Sequence, residues 1–314
     1  HNQSTIVGVQ NKLPATTHGT GDARDGFIYK IPAREDDVTL IAKRQSGCNQ
    51  RGILQNEALA LAATLMLLPE DITVGSTLGI WHPSHEDEAA LFIKRFDRLP
   101  NGGRVHFEEA LQALGSRAQH KYDHSYKELA DVTRRLCGEQ GVVKLFKRIL
   151  AQFLMGNSDG HMKNFAFWKK NGQWDLTPNY DLVSDELYAG ENLSLSTPLT
   201  IKGRKPDIRE IGPKQILDLG EEMGLSIDQI KTAVHDIQLH LPKAIEFLTP
   251  AQRHTRSKEF KHLFVEPKYE PKNVNRNKLL ALMKTHAKQM FTGFDRCCDI
   301  RERETGGHQP GQGR

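Results

Sequence analysis

Along the chain the apolar residues change their spacing near residue 100, from short runs broken by turn residues to long stretches with three- and four-residue steps. Ile6-Val7-Gly8-Val9-Gln10-Asn11-Lys12-Leu13 reads as a strand entering a Gly8 turn. Phe27-Ile28-Tyr29-Lys30-Ile31 reads as a second strand that stops at Pro32, where no ladder donor is available. The Thr/Gly/Asp-rich stretch between them, residues 16–26, makes the long tip of a hairpin. From Asn56 through Leu68 strong helix formers are apolar nearly all round, which predicts a buried helix. Ile72-Thr73-Val74 and Ala89-Ala90-Leu91-Phe92-Ile93 complete an expected small sheet with one helix.

Beyond Phe96-Asp97-Arg98-Leu99-Pro100-Asn101-Gly102-Gly103 the pattern is helical. Val142, Leu145, Phe146, Ile149, Leu150 and Phe153 share one face, and Gly156 follows as a helix C-terminal glycine would. Residues 213–247 and 275–292 are patterned in the same way, with Leu279, Leu282, Met283, His286 and Met290 on one side. Residues 192–206 form a polar strand-and-loop segment carrying Lys202, Arg204 and Lys205. The pattern predicts an α+β, bilobal architecture: a small β-rich N-lobe over residues 1–97, a large helical C-lobe over 98–300, and a disordered tail over 301–314, which has too little apolar surface to bury.

Composition narrows this picture modestly. A chain of 314 residues is enough for one large domain or two lobes, and its apolar runs fall short of the roughly 20 residues of a membrane helix. This predicts a soluble protein with no membrane partner. Lys and Arg total 43 against 39 Asp and Glu, a net charge of +4, too small for a protein that coats nucleic acid. Cys48, Cys137, Cys297 and Cys298 contain no CxxC pair and read as ordinary thiols of a reducing, cytoplasmic setting. The chain begins with His1 rather than Met, as a trimmed chain would.

The chemistry concentrates in Gly156-Asn157-Ser158-Asp159-Gly160-His161-Met162-Lys163-Asn164-Phe165 and in Leu176-Thr177-Pro178-Asn179-Tyr180-Asp181-Leu182. Asp159 and Asn164 stand five apart, the interval of the kinase catalytic loop, in which the Asp accepts the substrate hydroxyl proton and the Asn ligates magnesium. Asp181, seventeen residues further on after an expected strand 173–176, stands where a second metal-binding carboxylate belongs. Phosphoryl transfer needs a carboxylate to orient the hydroxyl and hard oxygens for Mg²⁺. It also needs a strand lysine at the phosphates, for which Lys30, after the Gly8 turn, and Lys43, in Thr39-Leu40-Ile41-Ala42-Lys43, compete. Each piece alone has an ordinary reading: Asp-x-x-x-x-Asn as an Asx turn after a helix, Gly8 as a plain turn. The order of strand lysine, long helix, Asp with Asn, then Asp is what points to a kinase.

The block Asn157-Ser158-Asp159-Gly160-His161-Met162-Lys163-Asn164-Phe165, with Thr177-Pro178-Asn179-Tyr180-Asp181, resembles the signature of HipA-like serine/threonine kinases, the toxins of bacterial toxin–antitoxin operons. Gly8-Val9-Gln10-Asn11-Lys12 resembles that family's phosphate-covering loop, Tyr29-Lys30-Ile31-Pro32 its ATP-lysine strand, and Arg95-Phe96-Asp97-Arg98 its hinge. Asn56-Glu57 is similar to the start of its small-lobe helix.

The resemblance covers residues 4–205 and puts Lys30 ahead of Lys43. It implies Asp159 as catalytic base and Asn164 and Asp181 as Mg²⁺ ligands. It implies Gly8, Val9, Gln10, Lys12, Lys30, His161 and Lys163 at the phosphates of ATP, adenine held by the hinge backbone at Lys94 and Phe96, and Asp97 on the ribose. His161 has no His or Cys at ligand spacing, so a metal-ligand role is disfavoured against a role in the loop.

The family's inhibitory autophosphorylation aligns with Thr5, with Ser4 beside it, where the family usually has a serine. A phosphate there adds nearly two negative charges beside the nucleotide. The chain start resembles the short HipT-type members, whose N-terminal subdomain is a separate protein, or a HipA core lacking that subdomain. By resemblance the substrate is a protein, an aminoacyl-tRNA synthetase; the partner is a HipB-like or HipS-like antitoxin, with DNA met only through the antitoxin. The basic stretches 253–261 and 268–278 read as solvated surface or as antitoxin-complex contacts. Two alternatives are a pseudokinase that serves as a binding module and a small-molecule kinase sharing the same geometry.

Overall fold

The alternating segments of the N-terminal third form one antiparallel sheet in the computed structural model, which describes residues 11–18, 28–30, 38–44, 52–82, 85–99, 102–189, 194–249 and 274–306. The strands are β1 (Asn11–His18), β2 (Ile28–Lys30), β3 (Leu40–Arg44), β4 (Ser76–His82) and β5 (His85–Lys94), in the spatial order β2-β1-β3-β5-β4. The expected hairpin is present as β1 against β2, but β1 runs on through Thr16, Thr17 and His18, which pair with Lys30, Tyr29 and Ile28. Those residues were expected in the tip; β-branched threonines with a partner strand beside them extend the ladder instead. Residues 4–10, including the Gly8 turn, lie outside the described residues.

The centre of the sheet is β3, a segment with no clear alternation of its own. Its Ala42 is buried, and it pairs with β1 on one side (Lys12 opposite Lys43) and with β5 on the other (Leu40 opposite Lys94). Ile72-Thr73-Val74 is not a strand of this sheet. It makes a single parallel bridge, Thr73 to Asn179, and so ties the N-lobe to the segment that carries Asp181.

Helix α1 (Ile53–Leu67) is buried along nearly its whole length, as its all-round apolar pattern predicts. One side meets β4 and β5 and the other meets two C-lobe helices, α5 (Ile227–Leu248) and α6 (Val274–Phe291). A continuous apolar core therefore runs from Ile93 through α1 to Phe294, across the boundary expected near Asp97.

The C-lobe is built on α3 (Tyr126–Leu154), whose Val142, Leu145, Phe146, Ile149, Leu150 and Phe153 are all buried. Ser125 caps it, with its Oγ accepting from the Glu128 N–H and the Glu128 carboxylate accepting from the Ser125 N–H. A short helix α2 (Ala110–Ala113) precedes it, and a second sheet, in the order β6 (Phe107–Glu109), β7 (Ala166–Lys170), β8 (Gln173–Leu176), follows the catalytic segment. The 213–247 pattern divides into α4 (Pro213–Glu222) and α5. Residues 301–306, expected in a disordered tail, continue α7 (Phe294–Gly306), because Arg301 meets Asp218 and Glu221 of α4. Residues 307–314 lie outside the described residues. Among the described residues no helix is long and apolar enough to cross a membrane.

A buried ion pair fixes the lobes to each other. Arg148 of α3 grips Asp71 with two hydrogen bonds, Nε to Oδ2 at 2.6 Å and Nη2 to Oδ1 at 2.7 Å, and Asn179 Nδ2 donates to the same carboxylate at 3.1 Å. Burial alone would raise the Asp71 pKa, yet the Arg148 hydrogen bonds and charge hold it below the usual carboxylate range. Removing one partner leaves the other charge buried and unpaired. Asp71→Ala is therefore expected to cost about 3–5 kcal/mol, read as a lower denaturant midpoint, whereas Lys127→Ala, which breaks an exposed pair with Asp131, should change it by less than about 1 kcal/mol.

Candidate active site

The catalytic segment begins where α3 ends. Gly156 adopts a left-handed φ of 66°, and a Cβ there would meet Glu186, so glycine turns the chain off the helix. Asp159 N–H then donates to Asn157 Oδ1 at 2.9 Å, and the His161 N–H is shared between Asp159 O at 2.7 Å and Asn164 Oδ1 at 3.1 Å. Gly160 lies against Gln152, where a Cβ would come within 2.2 Å of Oε1. From behind, Asp185 accepts from the Ser158 N–H at 2.8 Å and the Ser158 hydroxyl at 3.1 Å. These bonds hold Asp159 forward at the cavity wall.

Asp181 reaches the site from the segment after β8 and has a left-handed φ of 56°, an uncommon conformation that Asp tolerates better than most residues. Three side chains converge on it. Lys43 donates to its Oδ1, Lys12 Nζ lies 3.7 Å from Oδ2, and Asn164 Nδ2 donates to Oδ2 at 3.4 Å. Lys43 also donates to Glu57 of α1 at 2.6 Å, and both side chains are almost fully buried. Burial would push Asp181 up, but the charges of Lys43 and Lys12 hold its pKa down to about 2. Burial likewise disfavours the Lys43 ammonium, and Glu57 and Asp181 more than offset it, raising its pKa. Asp159 is raised, chiefly by burial, although the Tyr122 hydroxyl donates to its Oδ1.

Lys12, Lys43, Asp159, Asn164 and Asp181 line one cavity of about 860 Å³. One end is cationic, with Lys12, Lys43, Lys121 and Lys163 around Asp159 and Asp181. The other is apolar, with Ile41, Val74, Ile93 and Phe96 beside the hinge. Phe96 packs against Phe107, Trp168 and Tyr180 with ring centroids 5.1, 5.9 and 5.7 Å away, which gives the apolar end a rigid floor.

Of the residues singled out from the sequence, Lys12, Lys94, Phe96, Asp97, Asp159, His161, Lys163, Asn164 and Asp181 all line this cavity. The strand lysine that reaches the carboxylates is Lys43. Lys30, placed ahead of it from the sequence, sits opposite Thr16 on the edge strand β2, with β1 lying between it and β3. The period-two pattern suits both segments, and only the strand order separates them. Gly8, Val9, Gln10, Thr5 and Ser4 lie outside the described residues.

At the hinge, the Lys94 N–H is committed to Gly75 O at 2.8 Å. Asp97 is gripped by Arg95, through bonds of 2.8 and 2.6 Å, and by Arg98. In the polar 192–206 segment, Lys202 meets Asp218 and Glu221, and Lys205 donates to the Tyr122 carbonyl at 2.7 Å. The basic stretch 253–261 lies outside the described residues.

The sequence reading gave Glu57 no site role and passed over Asp185, Lys121 and Tyr122. Glu57 had a signal, a lone acid within an apolar helix. Asp185 had a weak one, an acid close behind the Asp181 motif. Lys121 and Tyr122 lie in a polar stretch without any periodic pattern.

Two expectations follow. With activity as the readout, Lys43→Met should lower nucleotide turnover by roughly 10²–10³-fold, while Lys30→Ala should leave it within about threefold; the opposite result would restore Lys30 to the site. The second concerns Asp185, whose pKa is pushed up to about 7 by burial and the nearby Asp159 charge. A carboxylate raised in the fold binds a proton more tightly folded than unfolded, so its contribution is fully present below about pH 4 and is lost as pH rises through 7. Asp185→Asn should therefore stabilise the protein relative to wild type increasingly between pH 5 and 8, by up to a few kcal/mol, in thermal melts across that range.

Residues 4–245 match the family model of the HipA-like C-terminal domain. The Sinorhizobium fredii protein Y4dM, whose name provisionally assigns it as a kinase, is 30% identical over 191 residues, covering 57% of this chain and 44% of that protein. The serine/threonine-protein kinase toxin HipA of Shewanella oneidensis is 27% identical over 177 residues, covering 50% and 40%. The chain thus spans less than half the length of these two relatives. Among solved structures, the Shewanella oneidensis HipA complex with HipB and operator DNA matches with a TM-score of 0.68 at 19% identity, over 94% of this chain and 66% of that one. The Helicobacter pylori proinflammatory kinase CtkA matches with a TM-score of 0.51 at 11% identity, over 83% and 91%. The α+β, bilobal kinase-like architecture described above is the fold of those neighbours, and the chain belongs to the HipA-like C-terminal domain family.

Proposed function

We propose that this chain is an ATP- and Mg²⁺-dependent serine/threonine protein kinase acting as the toxin of a toxin–antitoxin pair. The observation that carries the proposal is the convergence of Lys43 and Asn164 on Asp181, with Glu57 buried behind Lys43, in a cavity wall that also carries Asp159. A pseudokinase would be expected to lack at least one of Lys43, Asp159, Asn164 and Asp181, and all are present.

The donor set fits Mg²⁺. Asp181 and Asn164 offer one carboxylate and one amide oxygen, and among the described residues no cluster of three or more His, Cys, Asp or Glu forms a dedicated metal cage. Magnesium favours this economy, taking one or two protein oxygens and completing its shell with phosphates and water. Asp181 and Asn164 would hold the ion, which would supply positive charge to offset that of the nucleotide phosphates. In this reading Lys43 sets the phosphate chain and is itself held by Glu57. The apolar end, floored by Phe96, takes the adenine. With the Lys94 N–H already bonded to Gly75, any adenine contact from Lys94 falls to its carbonyl. A ribose contact from Asp97 would share a carboxylate held by Arg95 and Arg98.

Asp159 accepts the proton of the incoming serine or threonine hydroxyl. As the new O–P bond forms at the γ-phosphorus, the bond from that phosphorus to the β,γ-bridging oxygen breaks and ADP leaves. Tyr122 occupies Asp159 Oδ1 and leaves Oδ2 for the substrate.

Further elements of the proposal rest on the family resemblance: an aminoacyl-tRNA synthetase as the substrate, and autophosphorylation at Thr5 or Ser4 as the off-switch. The HipB seated on the Shewanella HipA in its DNA complex supports an antitoxin of that type as partner. Absence of a membrane-spanning helix among the described residues and the toxin reading together support a cytoplasmic location.

The test is transfer of label from γ-labelled ATP, in a lysate treated with the wild-type chain and with Asp159→Asn, followed by phosphosite mapping. Wild type is expected to label serines or threonines in a few proteins, and the variant to lose at least 10²-fold of that labelling. Labelling retained by the variant contradicts the assignment of Asp159. Labelling confined to small molecules supports the small-molecule kinase instead.

A further inference from the structure

The cations of the cavity are not equivalent. Lys43 and Lys12 both face Asp181, and Lys163 Nζ lies 3.8 Å from Glu109, so each of the three stands against a carboxylate. Lys121 differs. Its Nζ lies 2.8 Å from His161 Nε2 and 4.7 Å from the centroid of the Tyr122 ring. An ammonium has only donors, so His161 Nε2 must accept, which makes the imidazole neutral with its proton on Nδ1. Among the described residues the Lys121 charge is thus oriented by a neutral group and makes no ion pair with a carboxylate.

The segment that delivers Lys121 is pinned to the catalytic loop from several directions. The Lys121 carbonyl accepts from the Met162 N–H at 3.2 Å, and the Tyr122 hydroxyl donates to Asp159. The Tyr122 ring meets the His161 ring edge-on at 5.0 Å, and Lys205 holds the Tyr122 carbonyl at 2.7 Å. The ammonium is close enough to the catalytic carboxylate to act on it electrostatically, and both residues line the cavity. His161 is only 7% exposed, and its Nδ1 has no partner among the described residues, which leaves a second donor unspent beside the same wall.

Phosphoryl transfer spreads negative charge over the three non-bridging oxygens of the group in flight, and catalysis rests on positioned positive charge at that place. We propose that Lys121, carried by the segment between α2 and α3 and oriented by His161, contacts the transferred phosphoryl group of ATP. Lys121 is a catalytic residue in this account and His161 a positioning residue. The proposal rests on the kinase reading above and adds the residue that meets the γ-phosphate.

The experiment compares wild type, Lys121→Met, Lys121→Arg and His161→Gln for ADP release from Mg-ATP. Calorimetric affinities for ADP and for the non-hydrolysable analogue AMP-PNP are measured alongside. Lys121→Met is expected to lower turnover by roughly 10²-fold or more and to weaken AMP-PNP about tenfold while leaving ADP within about twofold. Lys121→Arg should recover part of the turnover, since the charge returns with altered geometry. His161→Gln, whose carbonyl can still accept from Lys121, should lose less than Lys121→Met. Turnover of Lys121→Met within threefold of wild type, or equal loss of ADP and AMP-PNP affinity, overturns the proposal and makes Lys121 a structural latch. Wild type that releases no ADP overturns the kinase reading itself, and Lys121 with it, an outcome distinct from failure of the variants alone.

Discussion

A lysine ammonium buried as deeply as Lys43 cannot stand without anions, and much of this structure serves to bring two to it. Glu57 comes from the first turns of a largely apolar helix, and Asp181 is a left-handed residue after the second sheet. A central strand, a buried helix and a C-lobe loop must therefore meet within hydrogen-bond reach of one atom. Taking these charges out of water is expensive, and their mutual pairing and hydrogen bonds offset the cost only if the geometry is kept. The same demand creates the site: an anion held near the apolar wall, ringed by cations and open to a cavity, suits a cation with phosphates.

The rest of the polar interior keeps that geometry in place. The Asp71–Arg148 pair binds the loop after α1 to α3 and, through Asn179, to the segment that ends in Asp181. Asn56, next to Glu57, exchanges two 2.9 Å hydrogen bonds with the backbone of Ser184. Asp185, the next residue, supports Ser158 immediately before Asp159. Residues 181–185 thus touch the buried helix, the strand lysine and the catalytic loop within a few residues. Because apolar packing is continuous from the N-terminal sheet through α1 to α7, these directional bonds choose among many ways of burying the same surface.

The legible parts of the sequence were those that carry their information locally. The buried face of α3 shows in the spacing from Val142 to Phe153, and α1 in its all-round apolarity. Asp159 and Asn164 can be read because one loop holds them at a fixed interval, and Asp181 because it follows a short hairpin. Lys43 was harder, since its role depends on β3 lying between β1 and β5, a fact of topology that no window of the sequence contains. Lys121 and Tyr122 were not legible at all: their contacts with His161 and Asp159 span some forty residues and leave no periodic trace. The pairing of Lys202 was not legible either, because the carboxylates that hold it come from α4, some twenty residues on.

The central claim is that the anion formed by Asp181, framed by Lys43 and Asn164, is a magnesium–nucleotide site. Titrating a fluorescent ATP analogue into the protein with and without Mg²⁺, for wild type and Asp181→Asn, tests it most directly. The account predicts tighter binding with Mg²⁺ for wild type and loss of that Mg²⁺ dependence in the variant. Nucleotide affinity indifferent to Mg²⁺, or a Mg²⁺ effect that survives the substitution, would contradict it.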